Sequence, residues 1–210
     1  MTAKHVIGVT GGIATGKSTV MAILSELGAD VIDADRVYGD LIQPGLPLWE
    51  RLRSRFGNDI VADSGQIDRR ALGRIVFADP KKLAMLDEMT HRAVIDETIR
   101  RKDASRSEVV AIEAIKLIES GLSAICDRVW LVGAIAAVQR ARLMERNGLS
   151  AAEADVRIAA QSPPAPVPGR YHTAIDNSGS LDWLRVGVQG RWDDLVGGEV
   201  AQAHSPILPK

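Results

Sequence analysis

The sequence predicts an α/β fold, a parallel sheet covered by helices on both faces. Three observations lead to it. Short apolar segments of strand length alternate with longer segments of helical pattern along most of the chain. Val109–Ile112 and Val129–Val132 hold no polar residue at all, as strands buried on both faces do. The first apolar segment runs directly into a glycine-rich loop and then a helical segment.

His5–Thr10 reads as the first strand, and Gly11-Gly12-Ile13-Ala14-Thr15-Gly16-Lys17-Ser18 follows it. The octapeptide fits G-x-x-x-x-G-K-[ST], the phosphate-binding P-loop pattern. Its glycines let backbone N–H groups close around phosphate oxygens, and the helix start adds its positive dipole end. Lys17 is placed to reach terminal phosphates, and the Ser18 hydroxyl to join the shell of a Mg²⁺ ion. The helix Thr19–Leu27 is stopped by Gly28. These residues make the predicted fold P-loop NTPase-like.

The next strand, Asp30–Asp35, ends in two carboxylates, and the helix Arg36–Ile42 is closed by Gln43-Pro44-Gly45. Leu46–Phe56 is helical, with Pro47 in its first turn. Gly57–Ile67 is rich in turn residues. Asp68 caps a helix that runs to Phe77 and stops at Asp79-Pro80. Lys81–Lys102 is amphipathic, as one helix or two. After the strand Val109–Glu113, Lys116–Ala124 reads as a short helix and Arg128–Val132 as a strand. Helices are predicted over Ala136–Asn147 and Ser150–Gln161, the second capped by Ser150. The four prolines of Ser162–Gly169 end it. His172–Asn177 is the last strand and Leu181–Val196 the closing helix.

A length of 210 residues, 46% of them hydrophobic, suits one domain over 1–196, with 197–210 predicted as a disordered tail. The core is expected over 4–35 and 107–196, a helical region over about 36–106 and a lid over about 138–170. A net charge of −1 supplies no field that would gather nucleic acid or membrane. No apolar run is long enough to cross a bilayer, and the start has no leader pattern, so a cytoplasmic protein is expected. Cys126 is the single cysteine; with no second thiol it forms no internal disulfide, and its apolar setting predicts a buried, inert group. Oligomeric state is left open.

In open parallel sheets ligands gather beyond the carboxyl ends of strands. Asp33 is therefore a candidate to orient or deprotonate an attacking hydroxyl, with a metal-shell or structural carboxylate as the other reading. Asp35 either shares its face or caps the next helix. Glu113 closes an apolar strand where P-loop proteins keep a metal-sphere acid, binding directly or through water. Arg142 and Arg146 share a helix face, with Arg140 beside them and Arg157 on the next helix. They form either a charge-neutralising lid or a solvated basic face. Arg69, Arg70 and Arg74 form a second cluster, able to hold an anionic acceptor or merely to face water. His91 taken alone reads as a structural group.

These segments together resemble the dephospho-CoA kinase family, the P-loop kinases of the last step of coenzyme A biosynthesis, from about Val6 to Ser180. The resemblance is carried by Ile7–Thr19 with its Thr-Gly-Gly-Ile opening, by Val31–Asp35, Gln43-Pro44-Gly45, Asp68–Phe77, Thr90-His91, Gln139–Arg146, Gln161 and Ile175-Asp176-Asn177. It implies transfer of a phosphoryl group from ATP to the ribose 3′-hydroxyl of dephospho-CoA, with Mg²⁺ held by Ser18 and Glu113. It implies Asp33 as catalytic base, Lys17 as phosphate ligand and Arg142 as a lid arginine. Gly12, Ala14, Thr15, Gly16, Lys17, Ser18, Thr19 and Asn177 would bind nucleotide, and Asp33, Arg69, Arg70 and His91 the acceptor. Its fold is a five-stranded parallel core with a helical CoA-binding region and a lid. The chain departs from the family pattern at Arg92, at Ile115-Lys116 and in the proline run. Other P-loop kinases and a degenerate, non-catalytic nucleotide-binding module remain as alternatives. A GTPase switch is disfavoured, since its guanine-reading Asn-Lys-x-Asp does not occur.

Overall fold

The computed structural model describes residues 5–161 and 171–197. The proline run and the tail beyond 197 lie outside the described residues. The chain forms two compact units, one built from the residues up to Ile32 and from Ala104 on, the other from Asp33–Asp103.

The first unit carries a five-stranded parallel sheet. Its strands are β1 (His5–Thr10), β2 (Asp30–Asp33), β3 (Val109–Glu113), β4 (Arg128–Gly133) and β5 (Thr173–Asp176), in the order β2-β3-β1-β4-β5. The register pairs Ile7 with Ala111 and with Arg128, and Val132 with Ile175. Helices α1 (Lys17–Glu26) and α8 (Leu181–Val196) pack on one face. Strand side chains alternate with period two, so Ile7, Val9, Val109, Ala111, Trp130, Val132 and Ile175 all reach that face. They close with Val20, Ile23, Leu24, Leu184 and Val188 into one core. Each buried Val, Leu or Ile of this core stabilises the fold by roughly 1.5–3 kcal/mol.

On β1, Gly8 is central for a packing reason. A Cβ there would stand 2.6 Å from Leu117 Cδ2 and 2.9 Å from Cys126 Sγ. The segment carrying those residues lies directly on the strand. That approach overrides the predicted helix over Lys116–Ala124, which is instead a run of turns and a 3₁₀ turn at Leu122–Ile125.

The second unit holds α2 (Ala34–Leu41), α3 (Pro47–Phe56), α4 (Arg69–Phe77) and α5 (Pro80–Ala104). Leu48, Trp49 and Leu52 of α3 meet Ile60, Ile67, Leu72 and Val76 in its core. Trp49 Nε1–H donates to Gly65 O at 3.0 Å, which ties the turn-rich segment down. Asp68 caps α4 through Arg70 N and Ala71 N, as its sequence predicts. Lys81–Lys102 belongs to a single helix, α5, whose first turn is capped by Asp79. The strand expected over Asp30–Asp35 stops at Asp33, because the Asp33 side chain caps α2, and Asp35 lies in the first turn of that helix.

Hydrogen bonds from Arg100 and Arg101 hold Glu97 of α5 well below the usual carboxylate range, at about 2. A lowered carboxylate pKa gives stability that is present above its unfolded value and lost as pH falls through the folded one. Glu97→Gln is therefore expected to lower the melting temperature at pH 7, where the parent keeps the whole interaction, and to flatten the acid limb between about pH 4.5 and 2, where mutant and parent converge. A mutant and parent that lose stability in parallel over that window would contradict it.

The first unit completes with α6 (Ala136–Asn147) and α7 (Ala151–Gln161). Ser150 and Glu153 make a capping box at the start of α7: Ser150 N donates to Glu153 Oε2 at 2.8 Å, and Glu153 N to Ser150 Oγ at 3.3 Å. Among the described residues no helix is long and apolar enough to cross a membrane.

Candidate phosphate-binding site

The loop after β1 turns sharply at glycines that nothing else could replace. Gly11 has φ 154°, and a Cβ on it would overlap Val132 O. Gly16 has φ 90°, and a Cβ there would overlap Asn177 Nδ2. Between them Ala14 is left-handed at φ 56°, the one non-glycine residue with positive φ among those described.

Every carbonyl of the loop from Gly11 to Gly16 accepts a hydrogen bond. Lys17 Nζ donates to Gly11 O and Gly12 O, both at 3.1 Å, and Thr15 Oγ1 also donates to Gly12 O. Gln139 Nε2 donates to Ile13 O at 3.0 Å. Arg142 Nη1 donates to Ala14 O and Thr15 O, both at 3.3 Å. Asn177 Nδ2 donates to Thr15 O at 2.8 Å. Gly16 O accepts from Thr19 N and Val20 N, the third and fourth amides of α1. The amides behave oppositely: among the described residues, the N–H groups of Gly12, Ile13, Ala14, Thr15, Gly16 and Ser18 donate to no protein acceptor. A loop with all acceptors satisfied and a run of donors unspent, at the start of a helix, is built to receive an anion with many oxygens. Lys17 is the first residue of α1, buried and positively charged beside it.

Of the predicted metal donors, Ser18 is exposed on the first turn of α1, and Glu113 is half-buried at the end of β3, in register with Val9 of β1. Among the described residues no cluster of three His, Cys, Asp or Glu side chains could hold a metal by itself. The Ser18 hydroxyl and the Glu113 carboxylate are hard oxygen donors and few in number. That suits Mg²⁺, which keeps waters and phosphate oxygens in its shell.

The predicted arginines of α6 separate. Arg142 turns to the loop and also donates from Nη2 to Asn177 O at 2.9 Å. Arg140 pairs with Asp155 of α7 at 2.7 Å, and Arg146 bonds Asn147 Oδ1. Sequence reasoning assigned no role to Gln139. Its signal was faint: an amide side chain in the first turn of α6, which the fold buries. The Cys126 thiol is pushed up to about 12 by burial, and by Asp127 beside it, so it is no nucleophile.

The second unit holds the other predicted residues. Asp33 is exposed at the carboxyl end of β2; its Oδ1 accepts from Asp35 N at 2.8 Å and Arg36 N at 3.1 Å. Among the described residues Oδ2 has no hydrogen bond, so the cap orients the carboxylate and leaves one oxygen for chemistry. Arg69 and Arg70 start α4, both exposed, with Arg69 stacked over the Tyr38 ring at 5.4 Å. His91 is half-buried on α5.

Comparison with known proteins gives consistent matches. The family model for dephospho-CoA kinase matches residues 5–182. A dephospho-CoA kinase of Symbiobacterium thermophilum is 45% identical over 198 residues, 93% of this chain and 83% of that protein. One of Carboxydothermus hydrogenoformans is 42% identical over 86% of this chain and 89% of its own length. A crystal structure of a Thermus thermophilus protein superposes with a TM-score of 0.77 at 31% identity, covering 95% of this chain and all of that one (100%).

Proposed function

The chain belongs to the dephospho-CoA kinase family, and we propose that it transfers the γ-phosphoryl group of ATP to the ribose 3′-hydroxyl of dephospho-CoA. It is an enzyme of the kinase class. The observation that carries the reading is the loop in which six consecutive carbonyls are satisfied while the amides are unspent.

In this mechanism the amides of Gly12–Gly16 and the Lys17 ammonium bind the β- and γ-phosphate oxygens and neutralise charge that builds up during transfer. Ser18 and Glu113 would hold Mg²⁺, which supplies Lewis-acid stabilisation of the phosphate charge. Asp33 uses Oδ2 to accept the proton of the 3′-hydroxyl. The ribose oxygen then forms its bond to the γ-phosphorus, and the bond from that phosphorus to the β–γ bridging oxygen breaks to leave ADP. Arg69 and Arg70, with His91, bind the acceptor, whose pyrophosphate is anionic.

The test is a mass-spectrometric assay of purified protein with ATP, Mg²⁺ and dephospho-CoA. CoA is expected to appear with ADP in equal amount, and nucleoside monophosphates to be left unphosphorylated. Turnover of a nucleoside monophosphate but not of dephospho-CoA would move the acceptor assignment. ATP binding with no ADP release would make the chain a non-catalytic binder.

A further inference from the structure

We infer that Gln139, Arg142 and Asn177 form a clamp on the outer side of the phosphate loop, and that they act as positioning residues which aim its amides. The loop carbonyls Ile13 O, Ala14 O and Thr15 O are consecutive, and all three are gripped by these side chains. A trans peptide is planar, and the C=O of one residue points opposite to the N–H of the next. No cis peptide bond occurs among the described residues. Holding those three carbonyls towards α6 and the end of β5 therefore turns the N–H groups of Ala14, Thr15 and Gly16 the other way, where a phosphate would receive them.

The arrangement has the marks of a built device. Gln139 and Asn177 are both buried, so their amide groups cannot trade these bonds for water. Arg142 spans three acceptors with one planar fork: Ala14 O and Thr15 O through Nη1, Asn177 O through Nη2. That Asn177 carbonyl lies on the same residue whose side chain grips Thr15, so the fork also steadies the second jaw. The clamp holds Ala14 in a left-handed conformation that a non-glycine residue otherwise avoids. Arg142 thus acts through the loop rather than on the transferring group. Because Gln139 and Arg142 lie on α6, any displacement of that helix would loosen the amides, and nucleotide affinity is coupled to where α6 sits.

The inference rests on the phosphate-binding reading of the loop but not on the identity of the acceptor. It is tested by titrating the full chain and three variants with MgADP at a temperature where circular dichroism shows each to be folded. Gln139→Leu removes an uncharged donor at similar volume, and its MgADP Kd is expected to rise about fivefold, the effect of one neutral hydrogen bond. Arg142→Lys keeps the charge but cannot bridge three carbonyls, and about tenfold or more is expected. Asn177→Asp sets an acceptor against Thr15 O and should weaken binding at least as much.

Full MgADP affinity in Arg142→Lys, with only kcat reduced, would make Arg142 a charge acting on the transition state and overturn the inference. Full affinity in Gln139→Leu would overturn the three-jaw arrangement. A lowered melting temperature with unchanged Kd in the folded variants would reduce the contacts to plain structural support. Failure of the wild-type chain to bind MgADP would instead refute the phosphate-site reading itself. Failure to phosphorylate dephospho-CoA would leave the clamp result standing.

Discussion

Asp33→Asn is expected to lower kcat by about 10²–10⁴-fold, the range for loss of a positioned general base, while the chain stays folded and still binds ATP. The expectation follows from the two tasks that Asp33 has. Its Oδ1 accepts the amides of Asp35 and Arg36 and so caps α2. Its Oδ2 is the oxygen that the cap leaves over. Asparagine caps helices about as well as aspartate, because its own Oδ1 can take the same two amides. What it cannot do is accept the proton of a hydroxyl. The stability lost should be limited to the carboxylate's favourable interaction with the helix dipole, about 0.3–1 kcal/mol. Asp33→Ala is the control, since it removes cap and base together and should cost a further 0.5–2 kcal/mol, roughly, in a denaturant titration. Steady-state rates with saturating ATP and acceptor, read beside the two unfolding curves, separate the roles. A near-normal kcat in Asp33→Asn would leave Asp33 as a cap and nothing more.

The parts of this fold that the sequence displays are those fixed by neighbouring residues. The glycine loop is readable because its chemistry needs fixed residues at fixed spacing within one octapeptide. Helices α6 and α8 fall where the pattern puts them, α8 opening on the Ser180 cap, whose Oγ accepts from Trp183 N. Where a distant element decides, local reading fails. Lys116–Ala124 has helical composition, yet the demand that Leu117 and Cys126 lie against Gly8 of β1 breaks it into turns. At Asp33 the competition was between two local rules. A strand running to Asp35 keeps both carboxylates at its end, and a carboxylate ahead of a helix makes Asp35 the cap; the structure gives the cap to Asp33 instead, so the helix starts at Ala34 and Asp35 falls in its first turn. The outer clamp was least legible of all. It joins Ile13, Ala14 and Thr15 to side chains more than 120 positions away, and no spacing rule reaches that far. An arginine in a basic cluster looks the same in sequence whether it faces water, as Arg146 largely does, or grips a backbone, as Arg142 does.

Lys17→Met is the second substitution with a large expected effect: a fall of about 10²–10³-fold in kcat/KM for ATP, comparable to removing one preorganised donor from a site of developing negative charge. Methionine keeps most of the apolar stem of Lys17, which is buried at the start of α1, so packing should survive where Lys17→Ala would leave a gap. The ammonium bonds Gly11 O and Gly12 O, and its removal also takes a donor from both carbonyls. Gly12 O keeps Thr15 Oγ1, whereas Gly11 O is left to water or to a shifted loop. Two effects are thus superimposed, a lost charge and a loosened loop entrance, and they differ in what they do to smaller ligands. Loss of the charge should weaken ATP and ADP together and spare the nucleoside. Disorder of the loop entrance should also lower the melting temperature of the ligand-free chain. Measuring ATP, ADP and adenosine affinities alongside that temperature resolves the two. If ATP affinity and turnover both stay at the wild-type level, the loop does not hold a triphosphate by this lysine, and the six satisfied carbonyls describe a tight turn rather than a phosphate site.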